Sequence, residues 1–142
     1  MKKHPWNDYY EAEIADLLGR VFSKITATDE ELVMVCDEGT FTFYHSQGCC
    51  ESVYIESIVG ELSDLVGNPI LKAEEVVSSD NPPDVNQEIL EYQDSFTWTF
   101  YKFATIKGYV DIRWYGSSNG YYGEGVDLMF QPASVESVDD SF

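Results

Sequence analysis

Ser95-Phe-Thr-Trp-Thr-Phe-Tyr-Lys-Phe-Ala-Thr-Ile-Lys-Gly-Tyr-Val-Asp-Ile-Arg-Trp-Tyr115 is the stretch that decides the fold. Side chains of an extended strand point alternately to its two faces. Here Phe96, Trp98 and Phe100 fall on one face, and Thr97, Thr99, Tyr101 and Phe103 on the other. Lys107-Gly108 reads as a tight turn. On the return strand, Val110, Ile112 and Trp114 alternate with Tyr109, Asp111, Arg113 and Tyr115. Aromatic and β-branched residues favour a pleated, half-buried surface. Gly116 to Gly120 breaks the run, and Tyr121 to Phe130 can pair again, so the pattern predicts a three-strand meander.

Working toward the N-terminus, period-two patterning recurs over 20–27, 31–37 and 40–46. Thr28-Asp29-Glu30 and Asp37-Glu38-Gly39 supply the turns of a first meander. Glu51 to Ile58 alternates as a further strand. Leu62, Leu65 and Val66 mark a short helix between Gly60 and Gly67, and Asn68-Pro69 reopens the chain into a strand over 70–77. Asp8 can cap a helix over Tyr9 to Leu18, because Tyr10, Ile14, Leu17 and Leu18 recur at helical spacing before Gly19. The expected class is α+β, predominantly antiparallel β-sheet in two meanders, with one N-terminal helix and one short internal helix. One β-rich domain is expected over 1–130, with residues 1–19 as a helical extension, 79–94 as an acidic loop around Pro82-Pro83, and 131–142 as a flexible acidic tail.

The charge balance narrows the function classes. Eight Lys and Arg stand against 26 Asp and Glu in 142 residues, a formal net charge of −18. Nucleic acid is bound by cations that displace phosphate counterions, and Arg20 and Arg113 are the two arginines of the chain. Direct binding to nucleic acid or to an anionic membrane is therefore not expected, and a basic partner is. Duplex DNA carries one charge per about 1.7 Å, so this surplus equals that on roughly 30 Å of duplex. A globule of this length is roughly 37 Å across. A DNA mimic follows only if the acids gather on one face, with Asp80, Asp84, Glu88, Glu91 and Asp94 as the first candidates. Ten Tyr, eight Phe and three Trp exceed the needs of a core this size. Some rings are expected at an interface or pocket, and a homo-oligomer through the aromatic strands is one such use.

Cys36, Cys49 and Cys50 do not form a disulfide framework. The segment Met1 to Asp8 lacks the apolar run of a signal peptide, and no stretch reaches membrane-spanning length. A cytoplasmic protein is the expectation, within the host cell if it is phage-encoded.

His45, Cys49, Cys50 and Glu51 bring an imidazole, two thiols and a carboxylate into one turn. Such a set could activate a thiolate or bind Zn²⁺. Adjacent cysteines in a strand point to opposite faces, however, which argues against a shared metal. Packing or ligand binding is favoured over chemistry at this turn, and no metal or cofactor is expected. Arg113 among tyrosines could stack on or clamp a ligand carboxylate or phosphate, or pair with Asp111 or another acid of the chain. Trp114-Tyr-Gly-Ser-Ser-Asn-Gly-Tyr-Tyr122 offers glycines, hydroxyls, an amide and rings, a mixture suited to binding polar groups. Trp98, Arg113, Tyr115, Asn119, Tyr121 and Tyr122 are accordingly the candidate binding residues beside His45, Cys49, Cys50 and Glu51. Carboxylate pairs such as Glu74-Glu75 read as solvated charge.

Three segments, Tyr44-His-Ser-Gln-Gly-Cys-Cys-Glu-Ser-Val53, Thr97-Trp-Thr-Phe-Tyr-Lys-Phe-Ala-Thr-Ile-Lys-Gly108 and Ile112-Arg-Trp-Tyr-Gly116 through Asn119-Gly-Tyr-Tyr122, resemble the signature of an uncharacterised family of small phage and bacterial proteins. The resemblance spans roughly residues 17–128. It implies no activity. It implies a context of phage or prophage accessory proteins, many of which block host defence. The leading expectation is a non-enzymatic protein that inhibits a host protein through an acidic, DNA-mimicking surface. The alternatives are sequestration of a small nucleotide signal in an aromatic-lined pocket, and a cysteine-dependent enzyme.

Overall fold

The computed structural model describes residues 1–3, 5, 9–46, 48, 51–79, 95–118 and 123–133. Among these residues ten strands form two antiparallel sheets: β1 Lys2–Lys3, β2 Tyr10–Glu11, β3 Phe22–Ala27, β4 Leu32–Cys36, β5 Gly39–Tyr44, β6 Ser52–Val59, β7 Lys72–Ser78, β8 Ser95–Thr105, β9 Gly108–Ser118 and β10 Asp127–Pro132. The first sheet runs β1-β2-β10-β5-β4-β3 and the second β6-β9-β8-β7.

The long hairpin forms where the alternation demands it. β8 pairs with β9 from Ser95↔Ser118 to Thr105↔Gly108. The two-residue turn is Ile106-Lys107, one position earlier than the glycine signal suggests, so Gly108 opens β9 rather than closing the turn. Tyr101, Phe103, Val110, Ile112 and Trp114 are buried on the inner face. Facing them from the first sheet are Leu32, Met34, Phe41 and Phe43, all with no exposed surface. Rings interlock across the gap, Phe43 lying 4.8 Å from Tyr101 and 5.9 Å from Phe103. Leu17, Leu65 and Ile70 complete the core. Two packed layers, each burying one face, are the standard solution for sheets of this patterning.

Three expectations need correction. The N-terminal helix over Tyr9–Leu18 is absent. Tyr10–Glu11 is instead a short strand on β10, and the 3-10 turn Ile14–Leu17 follows it. Of the helical-period residues, Leu17 is fully buried while Leu18 is 48% exposed, so the period does not describe one buried stripe. Pairing of β2 with β10 outweighs the weak helical preference of a segment that begins with two tyrosines. The internal helix is likewise one 3-10 turn, Leu62–Leu65.

The third correction concerns the second meander. Its strands are β7, β8 and β9, with β6 added beside β9. β10 does not pair back on β9 but crosses to the other sheet, matching Asp127↔Tyr44 through Pro132↔Gly39 on β5. Gly39 permits that crossing. A Cβ there would lie 2.3 Å from the Gln131 carbonyl and 2.9 Å from the Phe130 ring, at a φ of 152°. The first meander, β3-β4-β5, stands as the alternation indicates.

Candidate functional site

The turn between β5 and β6 holds a buried clasp. His45 Nε2 lies 3.0 Å from Glu51 Oε2, and the Gly48 N–H donates to the same oxygen at 2.8 Å. His45 Nδ1 lies 2.7 Å from the carbonyl of Gly125, 80 residues along the chain. Both side chains are under a tenth exposed. The hydrogen bonds from His45 and then from the Gly48 N–H hold the Glu51 carboxyl below its usual range. With both ring nitrogens engaged, the imidazole has none left to activate a thiol or bind a metal in this arrangement.

Gly125 belongs to the crossing from β9 to β10, and its neighbour Glu124 anchors the other side. Glu124 is buried, accepts a 2.9 Å hydrogen bond from the Thr97 hydroxyl, and accepts another from the Ser118 hydroxyl. Thr97 and Ser118 lie in the second sheet, and His45 extends β5 of the first. Residues 124 and 125 thus tie the two sheets together at one end.

Glu51 makes the clasp sensitive to acid. A carboxyl whose folded pKa is depressed contributes stability above its unfolded value and loses that contribution as pH falls through the folded one. We predict that Glu51→Gln is less stable than the parent at neutral pH and that the gap closes as pH drops below the ordinary glutamate range. Denaturant midpoints of both proteins across pH 3–7 check this, and a gap independent of pH would sink it.

On the outer face of the second sheet, Trp98 and Tyr115 are buried with ring centroids 4.6 Å apart, and Phe96 and Phe100 flank them. The Arg113 guanidinium sits 5.1 Å over the Trp98 ring. It also grips Glu56, with Nη2 and Nε at 2.6 and 2.7 Å from Oε1. Glu56 is the residue skipped at the irregularity of β6, between Ile55 opposite Trp114 and Ser57 opposite Arg113, as bulges re-aim side chains. Burial raises the Tyr115 phenol above its usual range.

A third feature had no sequence signal. A cleft of about 680 Å³ opens where β2, β5 and β10 meet β7 and β8, with Glu11, Glu13, Glu75 and Asp127 beside Tyr9, Tyr44 and Tyr101. Such a volume lies within the range of ligand pockets. The Tyr101 hydroxyl donates to Glu75 Oε2 at 2.6 Å. Glu74 is solvated beside Lys72, as read from sequence, but its neighbour Glu75 is not a plain surface charge.

A model for a family described as a domain of unknown function, DUF7448, matches residues 15–128. The chain belongs to that family. No curated protein and no solved structure matches it. The matched span runs from the first 3-10 turn to the start of β10. It takes in the clasp, the Arg113–Trp98–Tyr115 cluster and half of the cleft, whose lining residues between Tyr9 and Ile14 precede it and whose Met129 follows it.

The structure therefore joins His45 to Glu51, and Trp98 to Arg113 and Tyr115, as two separate groups. Cys49, Cys50, Asn119, Tyr121 and Tyr122 lie outside the described residues, as do Asp80, Asp84, Glu88, Glu91 and Asp94. Cys36 is a core residue, its thiol pushed up chiefly by burial. Among the described residues no group of three His, Cys, Asp or Glu converges to hold a metal. Among the described residues no helix is long and apolar enough to cross a membrane.

Proposed function

We propose that this DUF7448 protein is a non-enzymatic binding module that docks a basic protein surface, of the kind that otherwise holds nucleic acid. The observation that carries the reading is the uncompensated charge of −18. Both arginines are bound to the chain's own acids, Arg113 to Glu56 and Arg20 to Glu38 and the Asp16 carbonyl. Arg20 also stacks on Phe41 and Phe130 at 4.9 and 5.5 Å. Neither is left as a clamp for phosphate, while the acids greatly outnumber the remaining cations. The resemblance to small phage and bacterial proteins supports the narrower reading, a phage or prophage accessory protein that inhibits a host defence protein.

Sequestration of a nucleotide is less well supported. The 680 Å³ cleft has four carboxylates and no Lys or Arg among its described lining residues, a field that repels phosphate.

The test is capture on immobilised protein from host lysate at low and at high salt, with duplex DNA as competitor. Basic proteins should be retained at low salt, released at high salt, and displaced by DNA, because the surfaces compete. Retention that ignores both salt and DNA would overturn the reading.

A further inference from the structure

The cleft at the sheet junction has the chemistry of a cation receptor. Its walls come from segments far apart in the chain: residues 9–14, Tyr44 at the end of β5, Glu75 on β7, Tyr101 on β8 and residues 126–129. Register explains their meeting. Asp127 stands opposite Tyr44, Met129 opposite Glu11, and Glu75 opposite Tyr101. Ala12, Ile14, Val126, Leu128 and Met129 give the same cleft an apolar lining.

Two phenols lie among these carboxylates. Burial first, and then the neighbouring Tyr9 and the Asp127 carboxylate, push Tyr44 up to about 12. Burial and the Glu75 carboxylate push Tyr101 higher, with Asp127 adding to it. Asp127 thus acts on both hydroxyls, and both remain neutral at physiological pH. The charge of the cleft is then that of its carboxylates.

An adjoining trough of about 520 Å³ shares Glu11, Ala12 and Glu13 with this cleft and is also lined by Asp16 and Lys2. Lys2 pairs in register with Glu11. One of the chain's own cations thus lines the trough that Glu11 and Glu13 share with the larger cleft, whose described lining residues include no Lys or Arg.

We propose that the cleft receives the guanidinium of an arginine presented by the basic partner, an inference that rests on the docking reading above and names its anchor. Three features select arginine over a metal ion or a bare ammonium. A planar guanidinium forks to carboxylates and stacks on tyrosine faces. The apolar lining suits an aliphatic stem that runs to a charged head. The described carboxylates do not converge as metal ligands.

The experiment titrates the full chain with a dye-labelled peptide of alternating arginine and glycine and with its citrulline counterpart, a neutral isostere. The parent should bind the arginine peptide and ignore citrulline. Glu11→Gln/Glu75→Gln/Asp127→Asn should weaken binding by about 30-fold, since hydrogen bonds to charged groups are among the stronger ones. Asp37→Asn/Glu61→Gln/Asp111→Asn removes the same charge elsewhere and should weaken it by no more than about threefold. Equal weakening by both triples would overturn the cleft as anchor and leave docking through diffuse charge intact. Equal affinity for the citrulline peptide would overturn both. Thermal melts check folding. Should the first triple melt early, Glu11→Gln/Asp127→Asn keeps the acceptor of Tyr101 and should still weaken binding by about tenfold.

Discussion

Phe43→Ala is expected to lose about 3–5 kcal/mol of stability, the range for deleting a buried ring where the surroundings collapse only in part. Phe43 has no exposed surface and is the penultimate residue of β5, opposite Leu32 of β4 and Leu128 of β10. Its ring is the bridge between layers, set edge-on to Tyr101 at 4.8 Å and to Phe103 at 5.9 Å. Alanine would remove contacts on both sides of the gap at once, and paired backbones cannot close in to fill it. Total stabilities of single domains run to about 5–15 kcal/mol, so the variant should fold only marginally. Phe43→Leu keeps much of the volume and should cost about 1.5 kcal/mol or less. Urea unfolding of the three proteins measures this, with slopes compared to confirm that the denatured state is unchanged. A loss below about 1 kcal/mol for alanine would mean that the sheets do not pack through this ring.

That inner face was legible in the sequence because a strand carries its own period. Tyr101, Phe103, Val110, Ile112 and Trp114 are buried where alternation puts them, and β3, β4 and β5 follow the same logic. What failed were inferences from neighbourhood along the chain. Tyr10, Ile14, Leu17 and Leu18 match a helical period by four positions, a coincidence that pairing with β10 overrides. β10 itself reads as the natural third strand after β9, yet its partners are β5 and β2 in the other sheet, a choice made by contacts some 90 and 120 residues back in the chain (roughly 130 against 40 and 10). The candidate sites divide in the same way. His45 and Glu51, six residues apart, could be suspected of meeting, whereas the Gly125 carbonyl that completes the clasp could not. The cleft was invisible for the same reason, since its tyrosines and carboxylates come from five separate segments.

Gly116→Ala should prove nearly as damaging as loss of the ring, by about 2–3 kcal/mol, through a different mechanism. Gly116 is buried in β9 between Val53 and Thr97. A Cβ added there would stand 2.4 Å from the Glu124 carbonyl oxygen and 3.0 Å from the Glu124 Cβ. The first obstacle is backbone, so no rotamer change relieves it, and the crossing over residues 123–126 must lift. Lifting it withdraws Glu124 from the hydroxyls of Thr97 and Ser118, and draws the Gly125 carbonyl away from His45. A substitution in the second sheet would therefore loosen a histidine attached to the first. Hydrogen exchange should quicken at residues 124–128 and at Gly48, whose N–H rests on Glu51, with less change at the centre of the β8–β9 hairpin. Gly123→Ala is the control. A Cβ there meets nothing within 4 Å, so its stability should stay within about 0.5 kcal/mol of the parent. If the two alanines cost the same, or if Gly48 exchange is untouched by Gly116→Ala, the crossing is not the tie between the sheets. The cleft offers an independent reading of the same variant, because Val126 and Asp127 continue directly from the displaced segment. Arginine-peptide binding should weaken along with the clasp, although no carboxylate has been removed.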